Sequence, residues 1–367
     1  WTSVKYILSD GNRLIGAGGW ETGAKFNRVW FSPAAGTTAT GFYDHEHVPD
    51  IFAVQQNWID LDEADGGTIT GLIGPYYGSI FVFKDRQIWK LVPTGDVTKP
   101  YRPYQVAKGS GIGALNQQSI VMSEDEHGNA ACYFLSHRGF YRLTVDGLNY
   151  VGADVEDVSI NLDATNVPAH GVYHADKHQI WWYVATGSAN DPDVKLVLDP
   201  RLVRLEDAQT DSGALYRNGW AKHTGNSAAA RCSVLFSTTY ASGTSRAQVP
   251  YIGRSTGTLI WQTDTGTQDS GVSFQAYVQW PQRHFAGVGV KFQATPPILV
   301  GSAGSQTLTA TYAPNYGRET AITGTASMAA AGSETRVTRV IEGLEANDDL
   351  EALAVTVGDG SALNSSW

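Results

Sequence analysis

An aromatic hairpin that recurs at a nearly fixed interval constrains this chain more than any other feature. Ile80 to Phe83 is an unbroken apolar run, Lys84-Asp85-Arg86 is a short charged turn, and Gln87 to Val92 carries Ile88, Trp89 and Leu91. The first run suits a strand covered on both faces, and the second is rich in strand-forming residues. The pattern returns 52 residues later in Tyr133 to Leu143. Phe81 aligns with Tyr133, Arg86 with Arg138, Trp89 with Tyr141, Lys90 with Arg142 and Leu91 with Leu143. Trp30 lies 51 residues before Phe81, and Trp181 lies 48 beyond Tyr133. Tyr251 follows Trp181 after 70 residues, an interval lengthened by the mixed charged segment 200–215. A unit that repeats at about 50 residues marks a β-propeller blade. One such unit leaves aromatic faces in water. Stacking units around an axis buries them, and closing the ring, here by joining the strand around Tyr6 to the last blade, removes exposed edges.

The first blade is expected from Val4 to Leu8, Arg13 to Ala17 and Asn27 to Ser32, followed by a polar, acidic connector from Thr38 to Gly67. The second takes Ile69 to Ile73, the hairpin above, and Tyr101 to Val106. Ser119 to Met122, Ala131 to Leu135, Gly139 to Thr144 and Leu148 to Val151 make the third. Gly171 to His174, Gln179 to Val184, Val194 to Leu198 and Gly219 to His223 make the fourth. The fifth runs through Ser233 to Thr238, Val249 to Ile252, Thr258 to Gln262 and Val272 to Tyr277. From about Ser273 the aromatic residues thin out and Thr, Ala and Ser take over. Cleanly alternating segments follow at Gln275–Trp280, Val288–Phe292, Ile298–Val300, Thr307–Tyr312, Val337–Ile341 and Leu353–Val357. Their spacing suits a small β-sandwich. The expected architecture is all-β: a β-propeller of about five blades, with six as the alternative, over residues 1–272, and a β-sandwich accessory domain over residues 273–367.

Composition agrees with short aromatic strands and tight turns, with 40 glycines, 11 tryptophans and 17 tyrosines in 367 residues. The formal net charge of −10 means that the surface as a whole does not suit phosphate binding. Cys132 and Cys232 each stand in an apolar strand pattern and read as buried, reduced thiols. No run reaches the roughly 18 apolar residues that span a bilayer, so no membrane span is expected. The chain opens on Trp1 with no secretory leader pattern, and the missing initiator Met leaves room for sequence upstream.

Several motifs touch on chemistry, and each has a structural reading that fits better. Asp60-x-Asp62-x-x-Asp65-Gly66 approaches a calcium loop, but its spacing is one residue too long and the closing Glu is absent, which leaves an acidic turn. His170, His174 and His178 have the spacing that gathers imidazoles on a helix, yet their surroundings read as strand and turn, where three side chains would diverge. Asp44-His-Glu-His47 reads as an exposed polar loop. Glu124, Asp125, Glu126, Asp154, Glu156 and Asp157 supply loop carboxylates of the kind glycosidases pair, but no spacing selects an acid and a nucleophile. The repeated Ser-x-Asp-x-Gly-x-x-Trp turn of sialidases is absent, and Ser123-x-Asp125-x-His127 stands once without a following Trp. Gly253-Arg-Ser-Thr-Gly257 spells a nucleophile elbow, but strands flank it on both sides where the elbow needs a helix after it. The glycines of Lys108-Gly-Ser-Gly-Ile-Gly113 match a phosphate loop in composition only. Lys84, Arg86, Lys90, Arg138 and Arg142 read as exposed turn and strand charges. No catalytic, cofactor-binding or metal-binding residue is therefore assigned.

The blade segments together resemble a family of virion proteins. Asn12-Arg-Leu-Ile-Gly-Ala-Gly with Asn27-Arg-Val-Trp-Phe-Ser, Ile69-Thr-Gly-Leu with Ile80-Phe-Val-Phe-Lys and Ile88-Trp-Lys-Leu, and Tyr133-Phe-Leu-Ser-His-Arg-Gly-Phe-Tyr are similar to propeller segments of tail nozzle proteins (tail tubular protein B type) of short-tailed phages. The resemblance covers residues 1 to 265, with the C-terminal part similar to the accessory domain of that family. It implies a structural protein of the virion tail, assembled in the host cytoplasm, with six copies in a ring beside the tail adaptor and tail fibre proteins. The viral DNA would leave through the channel without sequence-specific binding. An acidic wall is compatible with that passage, since like charge prevents sticking. The family offers no active-site residues, and its members are often much longer than this chain. The competing expectations are a carbohydrate-binding or carbohydrate-active propeller, with Trp and Tyr stacking on sugars, and a protein-interaction scaffold of non-viral origin.

Overall fold

The structure is a computed structural model. It describes residues 4–18, 26–32, 58–62, 67–96, 99–106, 108–162, 168–203, 219–225, 228–239, 246–254, 260–263, 277–283, 298–302, 307–314, 320–327, 336–340 and 353–358. The described residues are all-β with one short helix, and the chain divides into two compact units, residues 1–266 and 267–367.

The first unit is a succession of antiparallel sheets, each made from consecutive strands. Sheet one holds β1 (Tyr6–Ser9), β2 (Leu14–Ala17), β3 (Arg28–Phe31) and β4 (Trp58–Asp60). Sheet two holds β5 (Ile69–Tyr76), β6 (Ser79–Lys84), β7 (Ile88–Pro93) and β8 (Tyr101–Val106). In sheet three are β9 (Ile120–Glu124), β10 (Ala130–Ser136), β11 (Gly139–Thr144) and β12 (Gly147–Tyr150), followed by the helix α1 (Glu156–Ile160). Sheet four takes β13 (His170–His174), β14 (Gln179–Val184), β15 (Val194–Leu198) and β16 (Trp220–Thr224). Sheet five has three described strands, β17 (Cys232–Thr239), β18 (Arg246–Gly253) and β19 (Ile260–Gln262).

The repeat of 52 residues is a repeat of register. Phe81 pairs with Lys90 across β6 and β7, and Tyr133 pairs with Arg142 across β10 and β11. Successive residues of a strand point to opposite faces, so each second strand feeds two cores. Ile80 and Val82 pack with Ile15, Ala17, Val29 and Phe31 of sheet one. Phe81 and Phe83 turn the other way and meet Cys132 and Phe134 of sheet three. Tyr133 and Leu135 then meet Ile180, Trp182 and Val184 of sheet four. Trp181 and Tyr183 face Ile252 of sheet five. Full burial of one such side chain contributes about 1.5–3 kcal/mol, so these seams carry most of the unit's cohesion.

First strands lie beside first strands: β1 along β5, β9 along β13, and β13 along β17. Between β5 and β9 a glutamine closes the spacing. Gln117, in a short 3-10 turn (Gln117–Ser119), accepts from Leu72 N at 2.6 Å and donates to Leu72 O at 3.0 Å, as a neighbouring strand would. Gly71 permits this approach, because a Cβ there would lie 2.5 Å from Ile120 Cδ1 and 2.9 Å from Gln117 Oε1. The link into β9 also ties sheets two and three, with Ala114 N donating to Lys84 O at 3.1 Å and Leu115 N to Leu135 O at 2.9 Å.

The described residues of the second unit form a four-stranded antiparallel sheet and a two-stranded one. Its strands are β20 (Tyr277–Arg283), β21 (Ile298–Ser302), β22 (Thr307–Pro314), β23 (Ile322–Ser327), β24 (Arg336–Val340) and β25 (Leu353–Gly358). The larger sheet runs β20-β25-β22-β23, so the last described strand is an interior one; β21 pairs with β24.

Four expectations about elements need correction. The acidic connector 38–67 contains β4, which completes sheet one as a four-stranded meander. Trp30 is no counterpart of Phe81, because it stands on the third strand of its sheet and Phe81 on the second. Tyr277, expected to end a fifth-blade strand, instead begins β20 and pairs with Gly358 of the second unit; the rest of that expected strand, 272–276, lies outside the described residues. β23 was not expected, and Val288–Phe292 lies outside the described residues.

Candidate functional site

The charged residues of the repeated hairpins were expected to be exposed turn and strand charges, and the structure divides them. Lys84 is fully buried. Its Nζ donates to Leu61 O and Asp62 O, each at 3.0 Å, and so fastens sheet two to the end of β4. Two carbonyl oxygens of the expected acidic turn are therefore held by an ammonium of the same chain. Asp60 in that turn is ion-paired to Arg28 at 2.6 Å, and Asp65 and Gly66 lie outside the described residues. Arg142 is also buried, bonded through both terminal nitrogens to the Glu126 carboxylate. The expected exposure of Lys84 and Arg142 is thus overturned; burial is possible because each finds acceptors supplied by another strand or turn. Arg86 and Arg138 are exposed, beside a contact of 2.5 Å between Asp85 and His137 Nε2. Lys90 is half-buried, its Nζ 5.8 Å from the Phe81 ring centre.

The carboxylates do not converge. Asp125 caps a turn, accepting from His127 N at 2.9 Å and Asn129 N at 2.8 Å. Burial opposes its charge, but those N–H bonds hold its carboxyl below the usual range. Glu126 serves Arg142, and Glu124 stands 3.8 Å from His178 Nδ1. Asp154, Glu156 and Asp157 are exposed around the start of α1, where Asp157 lies 3.5 Å from Lys222 Nζ.

His170 and His174 share one face of β13, contrary to the expected divergence, since residues four apart in a strand point the same way. Both are buried, His170 stacked on Tyr183 with centroids 5.0 Å apart and His174 tilted against Trp181 at 5.1 Å. Only His178 leaves that face, in a left-handed turn at φ 53°. Among the described residues no three His, Cys, Asp or Glu side chains are gathered for a metal. Gly253 of the elbow-like motif ends β18 and Arg254 follows it, with its guanidinium 5.5 Å from the Trp261 ring centre; residues 255–257 lie outside the described residues, as does Asp44-His-Glu-His47. Lys108 to Gly113 forms the link between β8 and β9. Both thiols are free, but only Cys132 is buried; Cys232 is exposed at the start of β17, which corrects the expectation of two buried thiols.

What stands open is sheet surface. On the side of sheet five turned away from sheet four, cross-strand partners bring together Val234 with Tyr251, Phe236 with Val249, and Ile260 with Gly253. Val234 is 46% exposed, Phe236 59% and Ile260 76%, and none of these six residues is charged. Phe236 and Tyr251 meet edge to face at 6.2 Å. The outer side of sheet one carries Ile7, 59% exposed, and Trp58, half-buried beneath Arg28 at 3.6 Å. These faces are not marked in the sequence, because Val234-Leu235-Phe236 and Ile260-Trp261 are consecutive apolar residues that do not say which side is covered. Among the described residues no helix is long and apolar enough to cross a membrane. Compared with protein-family models and with curated proteins, the chain matches none.

Proposed function

We propose that this chain is a structural protein of a phage tail. In this reading sheets one to five are blades of a β-propeller, the second unit is a β-sandwich accessory domain, and six copies form a ring whose channel passes the viral DNA without reading its sequence. Adaptor and tail fibre proteins are its neighbours in the virion. The observation that carries this reading is how the polar groups are used. Lys84, Arg28, Arg142, Glu126 and Asp125 hold strands and turns together, while Val234, Phe236 and Ile260 stand exposed together on the face of sheet five. Apolar patches on a protein surface commonly serve association rather than chemistry. The resemblance of the blade segments to tail nozzle proteins gives that association its identity.

Particle images and mass measurement of the purified chain, alone and with a tail adaptor, test the proposal. The expected result is a closed ring of six around an open channel. A chain that stays monomeric at high concentration and fails to join an adaptor ring would count against it. A saturable, Trp-dependent signal on a glycan array would move the assignment to the carbohydrate-binding alternative.

A further inference from the structure

Four residues line up across sheet four, one from each strand: His170 pairs with Tyr183, Tyr183 with Lys195, and Lys195 with His223. The row belongs to the face that carries Trp181 and Val197 against sheet five. His170 is 6% exposed, and neither ring nitrogen has a hydrogen-bond partner in the protein. Its ring lies flat on Tyr183, with an interplanar angle of 13°. Lys195 is 6% exposed with its ammonium 3.7 Å from the Trp181 ring centre, so the row already holds a cation. On the same strand His174 faces the same seam. From sheet five, Ser233, Leu235, Pro250 and Ile252 bring no charge, and Arg254 brings another cation. Among the described residues two acids are fixed at this junction: Asp176 accepts from Gln248 N at 2.7 Å, beside His174, and Asp191, in the connection between β14 and β15, pairs with Arg231 at the entry to β17.

We propose that His170 makes the seam between sheets four and five a pH-sensitive joint. A solvent proton taken up at Nδ1 or Nε2 puts a positive charge into an apolar seam in which neither ring nitrogen has an acceptor beside it. The closed seam therefore resists protonation, and an opened seam accepts it. Burial accordingly lowers the folded pKa of His170, to about 4 from an ordinary 6.5. For a base with a depressed folded pKa, stability is fully present above the unfolded value. It is lost as pH falls from about 6.5 towards about 4, because only the open state binds the proton in that window. Sheet four stays with sheet three through Trp182, whose Nε1 donates to Ser119 O at 3.1 Å, so the expected movement is confined to sheet five.

Hydrogen exchange of the whole chain between pH 7.5 and 4.5, corrected for the intrinsic rate, tests this. Strands β17 and β18 should lose roughly 50- to 100-fold in protection by pH 4.5, while β6 and β10 change little. His170→Phe keeps the ring stack and removes the proton, and should be protected at both pH values. Equal acid sensitivity in the variant overturns the proposal. If the variant does not fold, the imidazole titration of the natural chain decides by magnetic resonance. A midpoint near 4, accompanied by loss of protection in sheet five, supports the joint. A midpoint near 6.5 with sheet five intact overturns it.

Discussion

Lys84 shows how one side chain can register two sheets. An ammonium withdrawn from water costs several kcal/mol unless its protons are taken up, and here two carbonyls from consecutive residues receive them. Lys84→Met should leave Leu61 O and Asp62 O without that donor and lower stability by about 2 kcal/mol, read as a shift in the urea midpoint. An unchanged midpoint would mean that the carbonyls find another donor. The thiols give a second check at the same scale. Burial pushes the Cys132 thiol well up, whereas Cys232 is exposed. A thiol-reactive dye should label one cysteine in the folded chain and two in denaturant; rapid labelling of both without denaturant would contradict the packing of sheet three. Neither environment was legible in the sequence. Lys84 stands in a run of charged residues, and its acceptors lie more than twenty positions upstream, so local context reads as solvent. Cys132 and Cys232 sit in similar apolar strings, and only the presence of a neighbouring sheet separates them.

At the scale of elements the links matter as much as the strands. Gly113 lies where the link into β9 crosses the end of β6, and a Cβ there would fall 2.0 Å from Lys84 O and 2.7 Å from the Asp85 carbonyl carbon. Backbone cannot yield as a flexible side chain can. Gly113→Ala should therefore displace the link, break the bond from Ala114 N to Lys84 O, and cost about 3 kcal/mol by thermal or urea unfolding. A midpoint within experimental error of the natural chain would show that the link relaxes freely. Strands that are unbroken apolar runs were legible, as in Gln179–Val184 and Ala130–Ser136, because both of their faces are buried. β4 escaped notice because Trp58-Ile-Asp60 is three residues long and embedded in an acidic stretch. β23 escaped because Ile322 to Ser327 offers small, weakly apolar side chains with a central Gly324. In both cases the pairing strand supplies the order that the segment's own composition lacks.

The whole molecule inherits its character from the alternation along the second strands. Cys132 and Phe134 belong to the seam with sheet two, while Tyr133 and Leu135 belong to the seam with sheet four. Each junction thus has its own set of side chains, interleaved with the next set yet sharing no member with it. Energetically the sheets behave as a line of coupled units in which each senses its immediate neighbours. One substitution can loosen one junction without touching the adjacent one, although the two residues are consecutive in sequence. A reading frame of two therefore runs through β6, β10 and β14, and it gives the chain separately adjustable joints between units that were first noticed as copies of one hairpin.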